Sequence, residues 1–158
     1  MTTVPISPGP TAVTRPARPA DLPHLLRWER DYMRAVEPAA EAAWTEAIDL
    51  NLGLWVECLD RTLVLEAGGG PGGSMMWMPA DDGKALLVGL HVVPALRRRG
   101  FGRLLLDAFA AQARAAGHGT LTLGVHRVNP ALHLYEGAGY HRTGEDGDYL
   151  LLERPSAP

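Results

Sequence analysis

Arg97-Arg98-Arg99-Gly100-Phe101-Gly102 brings three guanidinium groups and two glycines into six residues. Glycine lets an oxygen-rich ligand approach the backbone closely, and arginine adds charge. The first N–H groups of a helix have no partner inside it, and the helix dipole puts partial positive charge there. A loop of this composition at a helix head is therefore an anion site, with a pyrophosphate as a natural occupant. Read alone, it is equally a solvated turn. It is not a P-loop, since no Gly-Lys-Ser/Thr follows, and it lacks the third glycine of G-x-G-x-x-G. Glu29 also stands out, because it interrupts the apolar helical pattern of Leu22, Leu25, Leu26, Met33 and Val36. A buried carboxylate needs a partner or a raised pKa. It either pairs with an early arginine such as Arg15 or Arg18, or it lines a substrate cleft.

The elements around the arginine loop are legible. Ala85 to Val93 is almost entirely apolar, and Pro94 stops it. A short run rich in Val and Leu, apolar on both faces, predicts a central strand covered on both sides. After the loop, Phe101, Leu104, Leu105, Ala108 and Ala115 recur at helical spacing, and Gly117 to Gly119 ends the helix. Thr120 to His126 then alternates, with Leu121, Leu123 and Val125 on one face and Thr120, Thr122, Gly124 and His126 on the other. This strand–helix–strand order requires a parallel crossover.

The remaining chain frames that unit. Residues 1–11 read as a disordered lead-in, 12–154 as one domain and 155–158 as a tail. Ala12 to Ala17 predicts a first strand at a sheet edge. Asp21 and Pro23 open the first helix, and Pro38 opens a second that ends at Asn51 and Gly53. Leu54 to Leu59 is either helix tail or strand, and Thr62 to Ala67 is a strand. Gly68 to Gly73 reads as a loose hairpin connection before a strand from Ser74 to Met78. A short helix spans Pro130 to Glu136, and two terminal strands lie near Tyr140 to Thr143 and Asp148 to Glu153. The fold class is α/β (α+β), a mixed sheet of six to seven strands with helices on both faces.

Composition narrows the function. The 158 residues are 46% apolar and carry a formal charge of −3, so the surface as a whole does not attract nucleic acid. Cys58 is the only cysteine, which rules out an internal disulfide and a cysteine-rich metal site. No apolar run suits a membrane span or a signal peptide, so no membrane partner and a cytoplasmic location are expected.

Two motifs now stand in a known order. Arg97-x-x-Gly100-x-Gly102 is followed by Asn129-x-x-x-x-Leu134-Tyr135-Glu136-x-x-Gly139-Tyr140. Together they resemble the acyl-CoA pyrophosphate loop and the C-terminal N…LY…GF motif of the GNAT superfamily of N-acyltransferases, over a match from Arg15 to Glu153. The resemblance implies an N-acetyltransferase using acetyl-CoA as acyl donor and a primary amine as acceptor. It implies backbone contacts from Leu90, His91 and Val92 to the pantetheine arm. The loop Arg97, Arg98, Arg99, Gly100, Phe101, Gly102 and Arg103 would hold the pyrophosphate, chiefly through the amides of Arg98 to Arg103. Asn129 would bond the pantetheine side, and Tyr135 would be the general acid for the CoA thiolate. Relatives commonly dimerise, so a homodimer is one expected state.

The chain departs from the family at one point. Many relatives carry a base on the central strand or the next one, yet the matching positions here are Leu86, Val88 and Gly124. The base candidates are then Glu29, His126, Glu57 and His91, or water relays the proton, or the amine arrives neutral. A non-catalytic acyl-CoA-binding sensor is the alternative function. Trp28, Tyr32 and Trp77 hint at an apolar or cationic acceptor. The acceptor pocket is expected from the first two helices, the glycine-rich hairpin and the last two strands.

Overall fold

A computed structural model describes residues 11–158. The elements are β1 (Val13–Pro16), α1 (Leu22–Val36), α2 (Glu41–Glu46), α3 (Ile48–Glu57), β2 (Thr62–Ala67), β3 (Gly70–Pro79), β4 (Lys84–Val92), α4 (Phe101–Ala115), β5 (Thr120–His126), α5 (Leu132–Gly137), β6 (His141–Asp146) and β7 (Tyr149–Pro155). They form one seven-stranded sheet in the order β1-β2-β3-β4-β5-β7-β6. Among the strand pairs, β4 and β5 alone run parallel, joined through α4. This is the expected mixed α/β sheet. The lead-in read at residues 1–11 falls almost wholly outside the described residues.

Two apolar layers sandwich the sheet. On one face, Leu105, Leu106, Phe109 and Ala113 of α4 pack on Leu121, Leu123 and Val125 of β5, on Tyr135 of α5 and on Ala138 just after it. On the other, Leu25, Trp55, Cys58 and Met76 form the core under α1 and α3. β1 lies at the sheet edge, where Pro16 removes a donor without breaking an inner ladder. Arg15 on that strand holds Asp21 through both guanidinium nitrogens, at 2.8 and 2.9 Å, and reaches Glu66 at 2.6 Å. Arg15 keeps the buried Asp21 carboxyl below its ordinary pKa, so this charge is compensated within the chain.

Three local expectations are corrected. The second helix does not end at Asn51 and Gly53: Pro38–Ala40 is a 3₁₀ turn, α2 stops at Glu46, and α3 carries Gly53 in its interior as far as Glu57. Leu54 to Glu57 is thus helix. Secondly, the glycine tract is not a loose connection. The turn is confined to Gly68 and Gly69, and Gly70 to Gly73 belong to β3. A Cβ on Gly73 would lie 2.5 Å from the His91 carbonyl oxygen, and one on Gly72 would collide with the Leu96 side chain. These glycines permit close strand packing. Thirdly, the last strand, expected near Asp148 to Glu153, runs from Tyr149 to Pro155. Ser156 is buried and donates its N–H to the Gly119 carbonyl at 3.0 Å.

Candidate active site

The site begins where β4 leaves β5. Their parallel pairing covers only Lys84, Ala85 and Leu86 against Thr120, Leu121 and Thr122. From Leu87 to Val92, β4 is paired with β3 alone, so its other edge is open toward a widening gap. Backbone groups on that edge have ladder positions without a ladder, which suits an extended, amide-bearing ligand. Leu90, His91 and Val92 lie on this stretch, although the Val92 carbonyl already accepts from Arg97 Nε at 2.9 Å.

A bulge aims the strand. Met76 of β3 faces Gly89 while Trp77 faces Leu87, leaving Val88 unopposed. Strict alternation would put residues 85, 87, 89 and 91 on one face. The extra residue shifts that pattern. Ala85 and Leu87 pack on the α4 side, as do Leu90 and Val92 beyond the bulge. His91 turns instead toward α1, where its Nε2 meets Glu29 Oε2 at 2.8 Å. Glu29 therefore partners His91 and neither Arg15 nor Arg18. With the carboxylate accepting from Nε2–H, Nδ1 is the lone-pair nitrogen of the neutral ring.

The arginine loop sits at the exit of β4. Residues 97–100 are exposed, and Arg98 and Gly100 adopt left-handed backbone, with φ of 60° and 82°. Gly100 is the N-cap of α4, and the first intrahelical bond here runs from the Leu104 amide to the Gly100 carbonyl at 3.0 Å. The amides of Phe101, Gly102 and Arg103 are the free donors of this first turn. A Cβ on Gly102 would press to 2.8 Å from Leu134 Cδ2, so glycine lets α4 and α5 close together. Side chains separate in role: Arg97 ties the loop to Val92, and Arg103 reaches the Gly137 carbonyl at 3.2 Å.

Tyr135 lies on α5, only 7% exposed, edge-on to Tyr140 at 6.0 Å between ring centroids. Burial, with Tyr140 adding, pushes its phenol well above the ordinary value, so it stays protonated at neutral pH. The neighbouring Tyr140 is pushed up to about 12, mainly by burial. Asn129 is half-buried. Its Oδ1 caps the following turn by accepting the Ala131 amide at 2.9 Å.

α1 lies across the gap. Glu29, Tyr32 and Val36 recur at helical spacing, and Glu37 follows at the C-terminal cap, so this side of α1 runs from the β4 side to the β7 side. His91 stands edge-on to Tyr32 at 6.3 Å. Eight residues farther along from Glu29, Glu37 accepts a hydrogen bond from the Tyr149 hydroxyl of β7. Tyr32 lies beside Glu37 and Asn129, and both Tyr32 and Tyr149 are pushed above the ordinary phenol value, chiefly by burial. A cleft of about 660 Å³ opens here, lined by the end of α1 with residues 38–40, by His126, and by residues 146–149. His126 stands edge-on to Tyr149 at 5.4 Å, and its Nδ1 faces the Val128 amide at 3.4 Å.

The structure therefore links Glu29 to His91, and His91 through Tyr32 to Asn129 and Glu37, while His126 is the base candidate that lines the cleft. Glu57 is exposed at the end of α3 and joins no part of the cleft. Trp77 is a core residue, its Nε1 donating to Gln112 Oε1 at 2.8 Å, and Trp28 packs in the α1-side core. The glycine-rich hairpin does not line the cleft. Glu37 and Tyr149 carried no sequence signal beyond a helix-ending Glu-Pro pair and a strand tyrosine. Their pairing across 112 positions is a product of the fold.

Comparison with known proteins agrees with this geometry. The family model described as an acetyltransferase (GNAT) domain matches residues 59–142, just over half of the chain. No curated protein matches. PaiA N-acetyltransferase from Thermoplasma acidophilum, solved with coenzyme A, superposes with a TM-score of 0.75 at 20% identity, covering 92% of this chain and 99% of its own. Ard1 from Thermoplasma volcanium gives 0.71 at 21%, covering 91% and 97%. The ribosomal-protein-S18-alanine N-acetyltransferase from Escherichia coli gives 0.68 at 20%, covering 94% and 96%. At these identities the likeness is one of fold. With the matched domain, the splayed β4–β5 pair and the glycine-capped α4, the chain belongs to the GNAT acetyltransferase family.

Proposed function

We propose that the protein transfers an acetyl group from acetyl-CoA to a primary amine. The observation that carries this reading is the open β4 edge running directly into the exposed, left-handed arginine loop. The residues fit the donor. Unpaired β4 backbone from Leu87 onward supplies amide partners for a pantetheine arm. The free amides of Phe101, Gly102 and Arg103, beside Arg98 and Arg99, supply donors and charge for a pyrophosphate. The coenzyme A in the PaiA structure supports the same reading.

The chemistry then falls to three side chains. His91, oriented by Glu29 on its other nitrogen, takes a proton at Nδ1 from the bound ammonium, and the neutral amine so formed attacks the thioester carbonyl. A central-strand N–H holds the developing oxyanion as the N–C bond forms. Tyr135 gives its proton to sulfur as the C–S bond breaks, and recovers one from solvent. Burial that makes the phenol reluctant also raises the proton affinity of the departing thiolate, so the two remain matched. His126 suits the base role less well than His91, because its Nδ1 already faces a backbone amide.

Incubating the protein with acetyl-CoA and a panel of primary amines, and reading the free thiol, tests this. Amine-dependent thiol release with matching acetylated product is expected. Tight coenzyme A binding with no turnover of any amine would favour the sensor instead.

A further inference from the structure

One hydrogen bond does not fix an imidazole. Glu29 holds His91 at Nε2, 2.8 Å away, and the ring can still swing about that bond. A base that must offer Nδ1 to a bound ammonium needs a second contact. Tyr32 supplies it. One helical turn beyond Glu29 on α1, its ring stands edge-to-face with His91, the centroids 6.3 Å apart and the planes at 79°. Aromatic pairs favour this tilt at separations of about 4.5 to 7 Å.

Tyr32 is itself anchored at its hydroxyl. That group sits between the Glu37 carboxylate, to which it donates, and the Asn129 amide, which donates to it. Glu37 is nearly buried and also accepts from the Tyr149 hydroxyl. Asn129 is fixed in turn: its Oδ1 accepts the Ala131 amide at 2.9 Å, and its backbone N–H donates to the His126 carbonyl at 2.8 Å. The end of α1, the turn after β5 and the start of β7 therefore meet in one polar network. Asp21, another nearly buried carboxylate, is neutralised by Arg15, whereas no lysine, arginine or histidine among the described residues forms an ion pair with Glu37. A buried charge met by neutral hydroxyls is a costly tie, and a connected network of this kind fixes one arrangement of the groups in it. The group it fixes here is the ring beside His91. We infer that Tyr32 is a positioning residue for His91: its anchored ring holds the imidazole so that Nδ1 stays presented to the acceptor while Glu29 holds Nε2.

This inference rests on the base role proposed for His91, and its test has one arm that needs no turnover. In coenzyme A-saturated protein the His91 Nε2–H proton is followed by NMR, assigned by its absence in His91→Ala. Tyr32→Leu removes the ring, and its N–H is expected to exchange with water about fivefold to tenfold faster, the worth of one such contact. Tyr32→Phe keeps the ring and loses the anchor, so a smaller rise of about twofold to threefold is expected. The second arm compares n-butylamine, protonated at pH 7, with trifluoroethylamine, already neutral there. Tyr32→Leu is expected to lower kcat by about tenfold to thirtyfold with n-butylamine, the cost of a base held loosely, and by less than about threefold with trifluoroethylamine. The KM for acetyl-CoA is expected to hold. A tie that serves only to join α1 to the C-terminal strands would lower both amines alike and leave the N–H exchange of a folded variant unchanged. Either result overturns the inference, even where acetylation proceeds. Faster exchange in Tyr32→Leu without acetylation of any amine supports the held ring while contradicting the transferase reading. Should Tyr32→Leu fail to fold, Tyr32→Phe carries both readouts, with the split between the amines expected at about threefold.

Discussion

Replacing His91 by Ala is expected to lower kcat by about 10²- to 10³-fold with an ordinary primary amine at pH 7. An amine with the usual lysine value of about 10.4 is neutral in roughly one molecule in 2,500 at that pH. A positioned base removes most of that penalty, and His91 is the imidazole on the open stretch of β4, oriented by Glu29 at 2.8 Å. Acetyl-CoA affinity is expected to hold. The discriminating arm uses a fluorinated ethylamine, which is already neutral at the assay pH. With that acceptor the loss in His91→Ala is expected to shrink to a few-fold. Glu29→Gln, which keeps a hydrogen-bonding partner for the ring, is expected to cost about tenfold, since it alters orientation and charge without removing the imidazole. An equal loss with both amines would assign His91 a structural role and return the proton to water.

Tyr135→Phe is the second large effect, expected at about a hundredfold in kcat with unchanged coenzyme A affinity. The figure lies at the low end for general acid catalysis because a thiolate, with an ordinary pKa near 8.5, leaves with less help than an amine would. The substitution deletes one oxygen from a ring packed among α4, β5 and α5, so the fold should survive it. The raised phenol also fixes the pH response. A group held protonated well past its ordinary value cannot impose an alkaline loss of activity below about pH 10. Wild-type kcat is therefore expected to show no Tyr135 limb in that range. Full activity in Tyr135→Phe would remove the phenol from the mechanism, and loss of coenzyme A binding would make its role architectural.

Much of this was legible in residue types, and the reasons for the exceptions are physical. The parallel β4–α4–β5 unit followed from an apolar run, a glycine loop and a helical repeat, all local signals. The direction of His91 did not, because an apolar run reads the same on either face and the bulge at Val88 sets the parity. Gly70 to Gly73 looked like a flexible link, but lack of side chains also serves close packing, and the neighbours that decide between these uses, His91 and Leu96, are about twenty residues away. Gly53 ended a helix on propensity alone. In the fold, Leu52, Leu54 and Trp55 pack that helix onto the sheet and override a cost of about 1 kcal/mol. Glu37 carried no signal of its own, since its partner Tyr149 comes from the opposite end of the chain.

The central claim is that the open β4 edge and the head of α4 form one cradle for acetyl-CoA. Calorimetric titration of coenzyme A into the full chain at modest salt tests it most directly. The account predicts saturable one-to-one binding that weakens as salt rises and is lost when Gly100 is replaced by Val, whose branched side chain resists the left-handed backbone there. No binding at modest salt, or binding indifferent to Gly100→Val in a folded protein, would contradict it.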